Sequence, residues 1–453
     1  MVIALLVDLA LKNAKIALGK GLIEGGIAVE DGKICAVAKT VNLPKASTVI
    51  DVRGNVVFPG FIDAHVHLRD LELAYKEDFY TGTCAAVAGG FTTVLDMPNT
   101  RPPTDSVARL REKVAVARSK VIANTGFFAG LPPKMEEVEG LGNEGAFGLK
   151  IYPSQCTGEV DFEDDGSLLK AFKTIGQAGL IVAVHAESPS IIASNERRLR
   201  ASGEDSLRVR LEAHPPEAEI DAVGRVCRIA EGGSVGVHLC HVSLAESLFL
   251  VREAKRKGVR VTCEATPHHL FLTEDFCVGR GGGVGVVNPP LRGSGDAAGL
   301  WDGVVGGLVD VVASDHAPHG LEEKRVDDVW RIAPGFPGLE TTLPLLLTRV
   351  NEGGLSLVRL VEVLAGRPAA IFNIRGKGRL EVGCDADLTV VDMKARFRID
   401  ASKFYSKAKY SPFDGWEVVG KPVKVFVDGK LAMDDGEVVA RPGSGRVLRA
   451  QYS

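Results

Sequence analysis

The 453-residue chain has no excess of either charge: 54 lysines and arginines stand against 58 aspartates and glutamates, a net charge of −4. That balance gives no electrostatic case for binding nucleic acid or an anionic membrane. Long apolar runs are missing too. Nothing approaches the ~20 consecutive apolar residues that a membrane span requires. The opening "MVIALLVDLALKNAKI" is interrupted at Asp8, lacks a leading basic region and resumes with strand-like alternation, so it does not read as a signal peptide. Regular cysteine spacing is also absent. Eight cysteines scattered along so long a chain exclude a disulfide scaffold and predict a reduced, cytoplasmic protein. What is there, 45% apolar and 25% charged residues, belongs to a well-packed soluble protein. The length exceeds what one core usually supports, so a large domain with a satellite is expected.

Residues 1 to about 55 read as short strands with tight turns. "IALGKGLIEGGIAVEDGKICAVAK" carries Gly-Gly and Asp-Gly hairpin signals between apolar runs. The same texture returns in "GRLEVGCDADLTVVDM" (378–393) and "KPVKVFVDGKLAMDDGEVV" (421–439), so both ends can pair into one small β-domain. The middle differs. Apolar runs such as "GFTTVLDMPN", "GAFGLKIYPS", "LIVAVHAES", "SVGVHLCHVS", "RVTCEATPHH" and "VDVVASDHAPH" each end in chemically active residues. Helix-like stretches such as "SVARLREKVAVARSK" and "AEIDAVGRVCRIAEG" lie between several of them. Alternating strand and helix implies a parallel sheet with helical crossovers. Six or more such units over roughly 320 residues predict an α/β (β/α)8 TIM-like barrel, whose active sites lie at the C-terminal strand ends.

"FPGFIDAHVHLRD" (58–70) sets Asp63, His65, His67 and Arg69 at every second position, hence on one face of a strand. A lone HxH pair fits a polar patch as well as a metal site. Three further strand ends supply His185, His241 and Asp315. Buried imidazoles and carboxylates require partners or a metal, because desolvating an unpaired charge is expensive. Four imidazoles and one carboxylate at the strand ends of a barrel would converge on one point, and such N/O ligands suit zinc or another borderline divalent ion. Lys150 is the odd member. Most lysines are solvated surface charges, whereas this one lies inside an apolar strand between Leu149 and Ile151. An amine kept from water favours its neutral form, and a neutral amine can take up carbon dioxide as a carbamate able to bridge two cations.

These motifs, with "KEDFYTGTCAAVAGGFTTVLDMPNTRPP", "VTCEATPHHLFL", "VNPPLR", "ASDHAPH", "PGFPGLETTLPLLL" and "SKAKYSPFDGWEVVGKPVKVFVDGK", resemble the dihydroorotases of the amidohydrolase superfamily over nearly the whole chain. The resemblance implies a barrel over 57–375 and a small β-sandwich domain built from 1–56 and 376–453. It implies two zinc ions and reversible cyclisation of N-carbamoyl-L-aspartate to L-dihydroorotate in pyrimidine (UMP) biosynthesis, by a hydroxide bridging the metals. Carried over by position, His65, His67 and Asp315 hold the more buried metal, and His185 and His241 hold the second. N6-carboxylated Lys150 bridges them, and Asp315 doubles as the proton shuttle. Arg69, Asn99 and His319, with His67 beside them, grip the substrate carboxylate. Asn288 and the backbone at Pro334 and Gly335 face the pyrimidine ring. The implied partner is a small-molecule substrate, with room for a homodimer and for association with aspartate carbamoyltransferase. Many relatives follow "HLRD" or "HLRE" with a Pro-Gly turn; "LRDLELAYKED" departs from that and puts the backbone beyond Arg69 in question.

The remaining polar residues invite plainer readings. Asp63 is expected to orient a ligating histidine. His238, of opposite parity to His241, should face away from the centre; His268 and His269 read as packing or supporting groups, and His214 as a loop residue. Cys240 and Glu264 could assist a further metal, although a buried reduced cysteine is the commoner outcome. The Gly-rich "GRGGGVGVV" precedes no helix in phosphate-loop register and reads as a turn. The competing functions are dihydropyrimidinase, hydantoinase or allantoinase, which share the metal ligands but present no carboxylate for Arg69, and a silent scaffold homologue, which should have lost ligands.

Overall fold

Strands buried on both faces are expected to be mostly apolar, and the central runs are so apart from a few polar residues such as Asp63, His65 and Lys150. Phe61–Val66, Phe91–Asp96 and Asn124–Phe127 are buried at every position, as are Leu149–Ile151, Val182–Val184, Val237–Leu239 and Val311–Val312. In the computed structural model, which describes residues 6–19, 21–156 and 159–451, these runs form two parallel sheets. One joins 61–66, 91–96 and 124–127; the other orders 311–312, 261–265, 237–239, 182–184, 149–151 and 129–130. Backbone bonds also connect the two sheets. The Phe147 N–H donates to the Phe127 carbonyl at 2.9 Å, and the His67 N–H to the His316 carbonyl at 2.7 Å.

The expected crossover helices form at Val107–Arg118, Asp165–Gln177, Pro216–Gly233 and Ala245–Arg256. Side chains mark where the first two begin: Ser106 accepts from the Arg109 N–H and Asp164 from the Ser167 N–H, satisfying donors that have no partner inside the helix. No helix among the described residues is long and apolar enough to cross a membrane.

The two ends of the chain share one nine-stranded sheet, in which Leu388–Arg398 pairs antiparallel with Val56–Pro59. Its Asp-Gly turns fall where expected. Asp31-Gly32, Asp428-Gly429 and Asp435-Gly436 all have positive φ at both residues, the geometry of two-residue hairpins that follow the strand twist. The Gly-Gly pair behaves differently from its hairpin reading. Gly25 and Gly26 lie inside the strand Gly21–Glu30, where a Cβ on Gly25 would sit 2.4 Å from the Ala38 carbonyl. These glycines allow close backbone approach, and the reversal falls between the paired Leu18 and Gly21. The Gly-rich 279–287 stretch is a turn as expected: the backbone leaves helical geometry at Gly279, and 282–285 form one tight turn. The charged 194–216 stretch is largely helical, in Pro189–Ala201 and Leu207–Glu212.

Candidate metal centre

His65 lies in Phe61–Val66, and His67 follows one residue beyond its end. His185, His241 and Asp315 each follow a parallel strand within three residues. The strand ends therefore converge, as the alternation of elements predicted. Ligand atoms of His65, His67 and Asp315 all lie within 4.8 Å of one another. The His65 and His241 rings are 5.3 Å apart, and those of His185 and His241 4.7 Å. His241 and Asp315 carry positive φ values of 34° and 46°. Such backbone costs on the order of 1–3 kcal/mol per residue and persists only where the surroundings hold it.

The outer partners of the imidazoles decide which nitrogen faces inward. His67 Nδ1 donates to Asn99 Oδ1 at 2.6 Å, so its Nε2 lone pair faces Asp315 Oδ1 at 3.0 Å. His65 Nδ1 donates to Glu264 Oε1, leaving Nε2 3.5 Å from Asp315. His185 Nε2 donates to Glu187 Oε2 at 2.7 Å, which turns Nδ1 toward His241 Nε2 at 3.1 Å. The His67 lone pair aimed at the Asp315 carboxylate repels it unless a cation lies between them, while His185 Nδ1 can accept from His241 Nε2.

The charge states agree for most of the cluster. Burial holds His67 neutral, down to about 4, and drives His241 well below the ordinary imidazole range. Burial would raise Asp315, yet the His65 and His67 imidazoles keep it ionised, well below the usual carboxylate range. Neutral imidazole and ionised carboxylate are the metal-binding forms. His65 differs. Burial and Lys150 oppose its protonation, but Glu264 and Asp315 prevail and lift it to about 10, a proton that a cation at the same place would displace. Lys150 Nζ and His241 Nδ1 are buried with no hydrogen-bond partner among the described residues. Lys150 Nζ lies 5.1 Å from the centre of the Tyr152 ring, at a cavity of about 160 Å³ that Asn99 also lines. Orphaned buried polar atoms beside converging lone pairs fit a metal centre.

A family model for the amidohydrolase family matches residues 56–432. The chain belongs to the amidohydrolase family. A dihydroorotase of Methanothermobacter thermautotrophicus is 38% identical over 447 residues, covering 98% of each chain. An L-hydantoinase of Paenarthrobacter aurescens is 35% identical over 453 residues, covering 98% of this chain and 99% of its own. The solved L-hydantoinase from Arthrobacter aurescens superposes with a TM-score of 0.93 at 34% identity, over 98% of this chain and all of that one.

The surroundings of this amidohydrolase cluster hold several departures from the sequence reading. Asp63 accepts the backbone N–H groups of His65 and Ser314 at 3.1 Å each, so it fixes the strand ends rather than a ligating ring. Burial pushes its carboxyl up to about 7. The ring of His65 is held by Glu264, which also accepts from His238 Nε2 and the His241 N–H. His238 therefore stands behind Glu264, packed edge-on against Phe372. Sequence reasoning mentioned Glu264 only as an auxiliary ligand and missed Glu187, which joins His185 to His214. His214 is thus more than a loop residue, and it also lines a cavity of about 840 Å³. His269 is held between Thr266 and the Pro289 carbonyl, while His268 packs edge-on against Phe336. Cys240 Sγ lies within 4.8 Å of ligand atoms of His65 and Glu264.

Arg69 reaches its position by another route than strand alternation. The strand ends at Val66, and Arg69, Asp70 and Leu71 all have positive φ. Asp96 accepts the Leu68 N–H at 2.7 Å, and Asp70 accepts from the Phe79 N–H and Lys120, so this unusual turn is held by its neighbours. The buried guanidinium donates to the Pro318 carbonyl at 3.3 Å and lies 3.1 Å from His319 Nε2. Lys76 donates to His319 Nδ1, so the ring proton is on Nε2 and bonds the Pro334 carbonyl at 3.0 Å. Burial, with Arg69 and Lys76 close by, drops this imidazole to about 2. Asn99 is engaged with His67. Asn288 Oδ1 accepts from Arg210 at 3.4 Å, and the Gly335 N–H is taken by the Val286 carbonyl.

Glu264 offers a direct test of the cluster. It accepts three N–H groups, and a glutamine amide cannot accept through its nitrogen. Glu264→Gln is expected to weaken metal binding about 10- to 100-fold, read by competition with a chelator. Unchanged metal affinity would remove Glu264 from this supporting role.

Proposed function

We propose that this amidohydrolase is a dihydroorotase, interconverting N-carbamoyl-L-aspartate and L-dihydroorotate. One observation carries the reading. Among the described residues Arg69 is buried beside the ligand cluster with no carboxylate ion pair; it donates to the Pro318 carbonyl and has His319 Nε2 3.1 Å away. A buried guanidinium with no directly paired carboxylate suits an anionic ligand, and guanidinium grips carboxylate in a two-pronged fashion. Uncharged hydantoin or dihydrouracil rings have nothing to place there, whereas dihydroorotate carries a carboxylate. The dihydroorotase relative supports the same reading.

His65, His67 and Asp315 would hold one metal, His185 and His241 a second, and carboxylated Lys150 both; we take the ions to be zinc. When bound, they would polarise the ring amide carbonyl and acidify water. The protein supplies the rest. Arg69 anchors the substrate carboxylate, with His319 and Asn99 beside it. Asp315, kept ionised by two imidazoles, takes the proton of the attacking water and delivers it to the departing ring nitrogen. In the cyclisation direction it takes the carbamoyl N–H proton. We read the parallel strands, with 124–127 and 129–130 as one stave, as an eight-stranded barrel spanning 57–375. We read the nine-stranded sheet, which draws its strands from both ends of the chain, as the core of a β-sandwich domain of 1–56 and 376–453 beside it.

An activity panel on one metal-analysed sample tests the function. Dihydroorotate should be turned over with a kcat/KM at least about 100-fold above dihydrouracil, hydantoin and allantoin, because only it fills the arginine site. A preference for hydantoin would transfer the reading to the L-hydantoinase side. No turnover of any of them, with metal present, would favour a scaffold.

A further inference from the structure

Lys324 ends the short helix Leu321–Lys324 and is 1% exposed. Among the described residues it has no carboxylate partner. Its Nζ instead donates to three backbone carbonyls, those of Val286 at 3.0 Å, Ala333 at 2.6 Å and Gly335 at 2.9 Å. An ammonium has three N–H donors and no acceptor, so this cage uses it completely. Burying a lone cation is costly, and three well-made hydrogen bonds are what make it tolerable.

The carbonyls belong to two separate segments that meet at the substrate side of the site. Val286 lies two residues before Asn288. Ala333 and Gly335 flank Pro334, whose own carbonyl receives the His319 Nε2 proton. The Val286 carbonyl takes the Gly335 N–H as well, so the two segments touch directly and the ammonium closes the joint. The helical turn before Val286 packs so closely that a Cβ on Gly283 would lie 2.0 Å from the Lys324 carbonyl.

We propose that Lys324 is a positioning residue for substrate binding: its ammonium pins the 286–288 and 333–335 segments into one wall and, through Pro334, sets His319 against Arg69. The inference rests on the dihydroorotase reading, in which that wall and that histidine meet the substrate. Without the ammonium, three buried carbonyls lose a donor and the two segments can part, while the ligand cluster keeps all its own partners.

Lys324→Met separates positioning from mere stability. In the folded, metal-loaded variant, KM for dihydroorotate is expected to rise about 10- to 100-fold while kcat and metal content stay near wild type. A KM within twofold of wild type, or a fall in kcat with KM unchanged, would overturn the proposal. Should the methionine variant not fold, Lys324→Gln keeps two of the three donors and should give a smaller rise in KM. A wild-type KM in that variant would overturn it equally. Wild-type protein assayed alongside keeps the two claims apart. Failure of wild type to turn over dihydroorotate sinks the functional reading, whereas wild-type turnover with an unaltered variant KM sinks only the role of Lys324.

Discussion

Lys150→Ala is expected to lose the metal pair and to lower dihydroorotate turnover on the order of a thousandfold or more, since the Lewis acidity goes with the ions. The lysine is buried and its Nζ has no hydrogen-bond partner among the described residues, so as a bare ammonium it is an uncompensated charge in a dry site. Carbamate formation would resolve this: the neutral amine would bond to the carbon of carbon dioxide, release one proton, and become an anion among imidazoles. Because the Lys150 side chain makes no hydrogen bond among the described residues, alanine removes little that holds the strand. The described strand partners, Ala183 and Gly130, pair through backbone alone. The fold should therefore survive, and metal analysis on folded protein is a clean reading. Short carboxylic acids added to the variant should restore part of both metal content and rate, by occupying the vacated volume with a carboxylate. Wild-type turnover and metal content in Lys150→Ala would refute the carbamate assignment.

Arg69→Met should instead raise KM and spare the metals. Removing one partner of a buried charge pair costs about 2–5 kcal/mol, or roughly 30- to several-thousand-fold in KM for dihydroorotate. The surrounding turn does not depend on the guanidinium. Its left-handed residues are held through Leu68, Asp70 and Phe79 by Asp96, Lys120 and one another, and methionine spans a similar volume. His65 and His67 are fixed by Glu264 and Asn99, neither of which bonds Arg69. Uncharged rings, if accepted at all, should lose little in this variant, so the preference for a charged substrate ought to collapse. Metal lost with substrate affinity intact would reverse the roles assigned to Arg69 and the histidines.

The candidate site residues stand out in the sequence because each breaks a local rule in one dimension. His65 and His67 interrupt an apolar strand, Lys150 sits where a strand should be apolar, and His185, His241 and Asp315 each follow a β-branched run. The supporting carboxylates break no such rule. Glu187 is one more acid in a polar loop, and Glu264 meets His65 across 199 residues of chain. Lys324 looks like any charged residue in "LEEKR", and its carbonyl cage exists only once two other backbone segments are brought to it. Gly25-Gly26 misled for the opposite reason. The pair is permissive enough for a turn, and only the approach of the Ala38 carbonyl shows that it serves a strand.

From sequence alone came the element types, the Asp-Gly turns and the residues that converge, because periodicity and misplaced polarity are local properties of a chain. Which nitrogen of each histidine faces inward, how Arg69 turns after its strand has ended, and which buried charges lack a partner were decided by tertiary structure. Each of those depends on groups that share a dry interior without being neighbours in the chain, where a single hydrogen bond or its absence sets the charge.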